Sequence, residues 1–125
     1  MLFRSNLYNL AFKNLPEIKT PTIKKYSTHC WHLYVIQLNL GKLKINRDQF
    51  IEKIKKRNIG VSVHFIPLHI HPYYRKKYGY KAKDLPNAYA AYKRIISLPI
   101  YPKMTQKDIQ DVIWTIKDII NKFRK

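Results

Sequence analysis

The stretch NRDQFIEKIKKRNIGVSVHF (residues 46–65) changes its period halfway along. In its first half Phe50, Ile51 and Ile54 recur at helical spacing, so they share one face of a helix. Asn46 suits the N-cap. Asp48 and Glu52 come early, and Lys53, Lys55, Lys56 and Arg57 come late, the order that a helix dipole favours. Asn58 can take the left-handed position that closes a helix, and Gly60 releases the chain. In the second half Val61, Val63 and Phe65 alternate with Ser62 and His64, so residues 61–65 read as a strand with His64 on the face opposite the apolar one. A helix that feeds directly into a short strand predicts a mixed layer of helices and sheet.

Working outward, CWHLYVIQLNL (residues 30–40) is rich in aromatic and β-branched residues and reads as a buried strand. The two strands and the intervening helix predict a parallel pair joined by a right-handed crossover, with an antiparallel register as the alternative. Downstream, DLPNAYAAYKRIIS (residues 84–97) reads as a helix capped by Asp84, with Pro86 in its first turn. Ala88, Ala91, Tyr92 and Ile95 form its packing stripe. LPIYP is extended. The clearest helix follows, capped by Thr105 with Asp108 three residues on. Its apolar face holds Ile109, Val112, Ile113, Ile116, Ile119, Ile120 and Phe123.

Upstream, residues 2–14 read as an amphipathic helix on Leu2, Phe3, Leu7, Leu10 and Phe12, ended by the Leu15-Pro16 step. The same segment weakly resembles a transit peptide, a reading that the helical spacing displaces. Two prolines make the following residues an extended linker. The expected fold is α+β, a small sheet with helices packed on one face. Residues 1–28 are expected to form a helix and a linker, and residues 29–125 the domain proper.

Composition bounds the function. A chain of 125 residues with 46% hydrophobic content fits one domain with a modest core. Its 25 Lys and Arg against 7 Asp and Glu give a net charge of +18. That points to an anionic partner. The lysines are spread along the chain with no recognised reader module, so a small basic module for nucleic acid or an acidic partner is the second reading. The lone cysteine, Cys30, excludes an internal disulfide and a four-cysteine zinc site. At the head of a buried strand it reads as a small hydrophobe, not a nucleophile paired with histidine. No apolar run reaches the ~18 residues of a membrane span, and a reducing, cytoplasmic setting is expected. No glycine-rich phosphate loop exists, since Gly41, Gly60 and Gly79 stand alone. The acids are scattered over helix surfaces, which leaves carboxylate-pair catalysis without support.

The remaining concentration of chemistry is VHFIPLHIHPYYRKKYGY (residues 63–80). His64, His69 and His71 invite a metal reading, with His29 and His32 upstream. No i, i+4 histidine pair on a helix and no nearby carboxylate support it, and Pro67 and Pro72 hold the path extended. Loop capping and tyrosine packing are the structural alternative.

Three segments in order, WHLYVIQL, RDQFIEKIKKRNIGVSVHFIPLHIHPYYRKKYGY and LPNAYAAYKRIISLPIYPKMTQKDIQDVI, resemble the C-terminal segment of the DegT/DnrJ/StrS family. These are pyridoxal-phosphate (PLP) sugar aminotransferases of the aspartate-aminotransferase fold type. The resemblance covers nearly the whole chain, and RSNLYNLAFKNLPEIKTP is similar to the end of that family's connecting helix. It implies the small C-terminal domain of a fold-type I transferase, with no catalytic residue, no cofactor-binding residue and no metal ligand of its own. The Schiff-base lysine and the aspartate facing the pyridine nitrogen belong to a large domain absent from this sequence. No PLP is therefore expected on this chain alone, and no activity.

The resemblance further implies nucleotide-linked keto sugars as substrates, in amino-sugar or cell-surface polysaccharide biosynthesis. It implies the large domain as partner and homodimers with shared active sites, with no membrane partner. The loop after residues 61–65 would reach the active-site mouth. His64 is then the first candidate for substrate binding, followed by His69, Tyr74 and Arg75, the last suited to a diphosphate. A truncated product, one half of a split enzyme and a piece of a longer chain all fit.

Overall fold

The computed structural model describes residues 2–125. One antiparallel sheet has the order β1 (Ile18–Lys19), β2 (Tyr34–Leu38), β3 (Ile95–Leu98). Ile18 lies opposite Leu38, and Ile36 lies opposite Ile96. The helices are α1 (Leu2–Phe12), α2 (Arg47–Lys55), α3 (Pro72–Tyr78), α4 (Pro86–Tyr92) and α5 (Gln106–Phe123). α5 packs against α1 and α2, and α2 reaches β3. This is the expected α+β layer, with helices on one face of a small sheet.

The local signals around α2 act as the sequence predicts. The Asn46 side chain accepts from Gln49 N at 2.9 Å, and Gln49 Oε1 accepts from Asn46 N at 3.0 Å, so two orphan amides of the first turn are satisfied together. Asn58 takes φ of 58° and turns the chain out of the helix. At α5, Thr105 and Asp108 form the same reciprocal cap. Seven residues were expected on the inner face of α5. Six are buried, and Phe123 packs partly buried against the core. Each fully buried isoleucine is worth roughly 1.5–3 kcal/mol.

The pairing around α2 needs correction. No parallel pair forms between β2 and residues 61–65. Instead β3 lies between them, and Ser62 makes a single antiparallel bridge to Ser97. Two antiparallel steps restore direction, so this segment runs parallel to β2 with one strand inserted. That strand comes from residues expected to close a helix. α4 ends at Tyr92 because Ile95 and Ile96, β-branched and destined for the interior, gain more from strand packing than from another helical turn. Its start shifts as well. Asp84 accepts from Lys81 N at 2.7 Å and caps a separate 3₁₀ turn, Ala82–Asp84.

Further upstream, β2 begins only at Tyr34, and Cys30 is exposed, not buried. Trp31 takes a left-handed φ of 53°, which breaks the extended run while its ring goes into the core. The expected linker is partly ordered, since β1 pairs with β2 and both Glu17 and Ile18 are buried. The face of α1 also differs. Ser5, Tyr8 and Phe12 point inward, and Leu2, Phe3 and Leu10 are exposed. Tyr8 reaches the interior because its phenol has a partner there, as buried hydroxyls require.

Candidate functional site: the cleft at His64

The cleft at His64 holds about 230 Å³ between the 60–64 segment and the chain leaving β3. Ser62, Ser97, Pro99 and Tyr101 line it, with His32 at one side. The bridge between Ser62 and Ser97 sets the distance across it: Ser97 N donates to Ser62 O at 2.8 Å, and Ser62 N donates to Ser97 O at 3.2 Å. The half-buried His64 ring then meets Ser97, with Nδ1 and Oγ 2.9 Å apart. That contact fixes the ring and leaves Nε2 uncommitted. Phe65 meets the His64 ring edge-on at 4.7 Å and is itself 75% exposed, so the expected apolar face of residues 61–65 ends at Val63.

The opposite wall is held from α1. Tyr8 Oη donates to Pro99 O at 2.8 Å, and Arg4 Nε donates to Met104 O at 2.9 Å. Tyr34 Oη donates to Asn9 Oδ1 at 2.6 Å. Burial pushes the Tyr8 phenol well above its ordinary pKa, and the neighbouring Tyr34 and Tyr101 add to the shift. Burial alone does the same to Tyr34. Both rings are therefore neutral donors.

The other three candidate residues lie apart from it. His69 sits on the 3₁₀ turn Leu68–Ile70, 4% exposed, and its Nε2 has no hydrogen-bond partner. Tyr74 and Arg75 belong to α3, a helix set by Pro72 at its first position and by Gly79 with φ of 70° at its end. Tyr74 stacks on Tyr78 at 6.2 Å and meets Tyr73 edge-on. Arg75 is exposed and makes no ion pair among the described residues. Pro72 at the first turn and Gly79 at the end are a readable helix signature inside a stretch whose prolines suggest an extended loop.

Two contributors escaped the sequence reading. The sequence pattern places Ser97 at the end of a helix and Tyr101 in an extended piece, with no role for either. Among the described residues, no group of three His, Cys, Asp or Glu side chains gathers as a metal set. No helix among them is long and apolar enough to cross a membrane.

Comparison with known proteins follows the same outline. Residues 3–117 match the model of the DegT/DnrJ/EryC1/StrS aminotransferase family. An uncharacterized protein of Methanocaldococcus jannaschii, MJ1066, is 57% identical over 96% of this chain and 31% of its own length. The spore coat polysaccharide biosynthesis protein SpsC of Bacillus subtilis is 48% identical over 90% of this chain and 29% of its own. Among solved structures, the PLP form of Spr1654 from Streptococcus pneumoniae superposes with a TM-score of 0.84 at 26% identity. It covers 98% of this chain and 32% of that one. The chain thus spans under a third of the length of the relatives it matches.

Proposed function

The chain belongs to the DegT/DnrJ/EryC1/StrS aminotransferase family, and on that premise we propose that it is the small domain of a PLP-dependent enzyme that aminates nucleotide-linked keto sugars. It would work together with a large domain and within a homodimer. The observation that carries this reading is the His64–Ser97 pair. A half-buried imidazole is fixed through one nitrogen in an open cleft, and the other nitrogen is left for a ligand.

The residues present do not fit the anchor of the cofactor. No lysine lines the His64 cleft. Lys53, the only lysine partly withdrawn from solvent among the described residues, lies over the Phe123 ring at 4.4 Å. The amine that binds PLP would therefore come from the large domain, and this chain would hold and orient the sugar. Arg75 and the exposed Lys76 and Lys77 of α3 have no carboxylate partner among the described residues, and they offer charge complementary to a diphosphate.

The reading is tested by mixing the chain and PLP with a full-length relative cut back to the part this chain does not match. The absorbance of lysine-bound cofactor and glutamate-dependent amination of a nucleotide-linked keto sugar are expected from the mixture. Neither is expected from the chain alone. His64→Ala is expected to lower amination while leaving the absorbance intact. Amination by the isolated 125-residue chain, or a mixture indifferent to His64, would overturn it.

A further inference from the structure

A second cleft, of about 660 Å³, shares Gly60, Pro99 and Tyr101 with the His64 cleft and opens toward α5. That volume is in the range of small-molecule sites. Its chemistry departs from the rest of a chain that carries +18. Three of the seven acids, Asp108, Asp111 and Asp118, lie on or beside it.

Trp114 and Tyr101 line the cleft with 62% and 48% of their surface exposed. Trp114 projects from the exposed, polar side of α5, away from the core that the inner face of the helix packs against. It is nevertheless held in place. The Arg57 guanidinium lies 4.8 Å from its ring, and Asp118 pairs with that guanidinium and takes Lys122 at 2.9 Å. The stack presents a fixed aromatic surface at little further entropy cost to a ligand.

The flanking carboxylates are half-used. Asp108 commits Oδ2 to Thr105 N at 2.7 Å, and Asp111 commits Oδ2 to Lys107 Nζ at 2.8 Å. The Oδ1 atoms are uncommitted. Hydrogen bonds from Thr105 hold the Asp108 carboxyl below its ordinary pKa, so it is an acceptor only. Lys107 pairs with Asp111, while Arg57 shares Asp118 with Lys122 and keeps a buried Nη1 without a hydrogen-bond partner.

A phosphate would meet the carboxylates of Asp108 and Asp111, with Arg57, already paired to Asp118, as the cation in the lining. A neutral polyhydroxylated ring finds both things it needs: a π face for its C–H surface, and acceptors for its hydroxyl donors. We propose that the cleft between Trp114 and Tyr101 binds a neutral pyranose saccharide, which stacks on Trp114 and donates hydroxyls to Asp108 and Asp111. The site needs neither PLP nor a large domain, so it stands or falls apart from the aminotransferase reading.

The test is an NMR titration of the 125-residue chain with methyl glucoside, methyl mannoside and methyl galactoside, and with UDP as the phosphate-bearing control. Saturable shifts of the Trp114 indole N–H and the Tyr101 amide are expected with at least one glycoside. Trp31, 1% exposed, is expected to stay still. Trp114→Ala and Asp111→Asn, both at exposed positions, are each expected to weaken the midpoint about tenfold, the cost of one lost contact of roughly 1.4 kcal/mol. Absence of saturation with all three glycosides, unchanged affinity in Trp114→Ala, or displacement of the sugar by UDP would each overturn the assignment.

Discussion

Substitution of Ser97 by alanine isolates the contact on which the His64 cleft depends. Ser97 is 5% exposed, and its backbone pairs with Val35 on one side and Ser62 on the other. Alanine keeps both pairings and fits where serine fitted, so only the hydroxyl is lost. The lost bond joins a buried hydroxyl to a half-buried ring at 2.9 Å. A net hydrogen bond of this kind is worth about 0.5–1.5 kcal/mol. The imidazole can still draw water from the cleft, so its desolvation penalty is small and the expected loss is about 1 kcal/mol. For a domain of this size that is a fall in Tm of about 4 °C. Urea unfolding of the wild type, Ser97→Ala, His64→Ala and the double variant closes a cycle, from which a coupling of about 0.5–1.5 kcal/mol is expected. Ser62→Ala, at an exposed position on the same bridge, serves as a control and is expected to change stability by less than about 0.5 kcal/mol. Additivity of the two variants within about 0.3 kcal/mol would refute the claim that Ser97 fixes the ring.

Ile116→Ala, at a fully buried position in the middle of the inner face of α5, is expected to cost about 2–5 kcal/mol in chemical denaturation. Acid titration has a definite sign. Arg57 and then Lys122 hold the Asp118 carboxyl below its ordinary value of 3.8. Its contribution is present above that value and is lost as pH falls through the lower folded pKa. Asp118→Asn should therefore flatten the acid limb of a stability–pH profile, and an unchanged limb would refute the pairing. Alkaline titration runs the other way. Burial raises Tyr8 and Tyr34 above 10, so the stability of the folded, neutral phenols is present below pH 10 and lost as pH rises beyond it. Tyr8→Phe is expected to lessen that alkaline loss while costing about 1–3 kcal/mol at neutral pH, because Pro99 O loses its donor.

The sequence discloses those features whose partners lie within a turn of helix. Asn46 with Gln49, Thr105 with Asp108, and the left-handed Asn58 all satisfy backbone groups three or four residues away. Pattern and spacing are therefore enough to find them. β3 is hidden for the opposite reason. Its four residues are a strand because residues 34–37 and Ser62 flank them, and the chain elements that supply those neighbours are tens of residues away. Read alone, RIIS continues a helix as readily as it begins a strand. The same distance conceals Ser97 as the partner of His64 and Arg57 as the support of Trp114. Alternation placed His64 opposite an apolar face, but Phe65 never joins that face, so the ring is set by Ser97 and not by the pleat.

The N-terminal helix carries the same reasoning one step further. A connecting helix that only joins two bodies would need an apolar stripe and nothing more. α1 instead donates from Tyr8 to Pro99 and from Arg4 to Met104 and Pro102, and all three acceptors are carbonyls of the segment between β3 and α5 that walls the two clefts. Its outer residues Leu2, Phe3 and Leu10 stay exposed while these polar contacts face inward. A shift of α1 along its axis would therefore move Pro99 and Met104 together. Any body that packs on the outer face of α1 would be mechanically coupled, through the three hydrogen bonds of Tyr8 and Arg4, to the walls that surround His64 and Trp114.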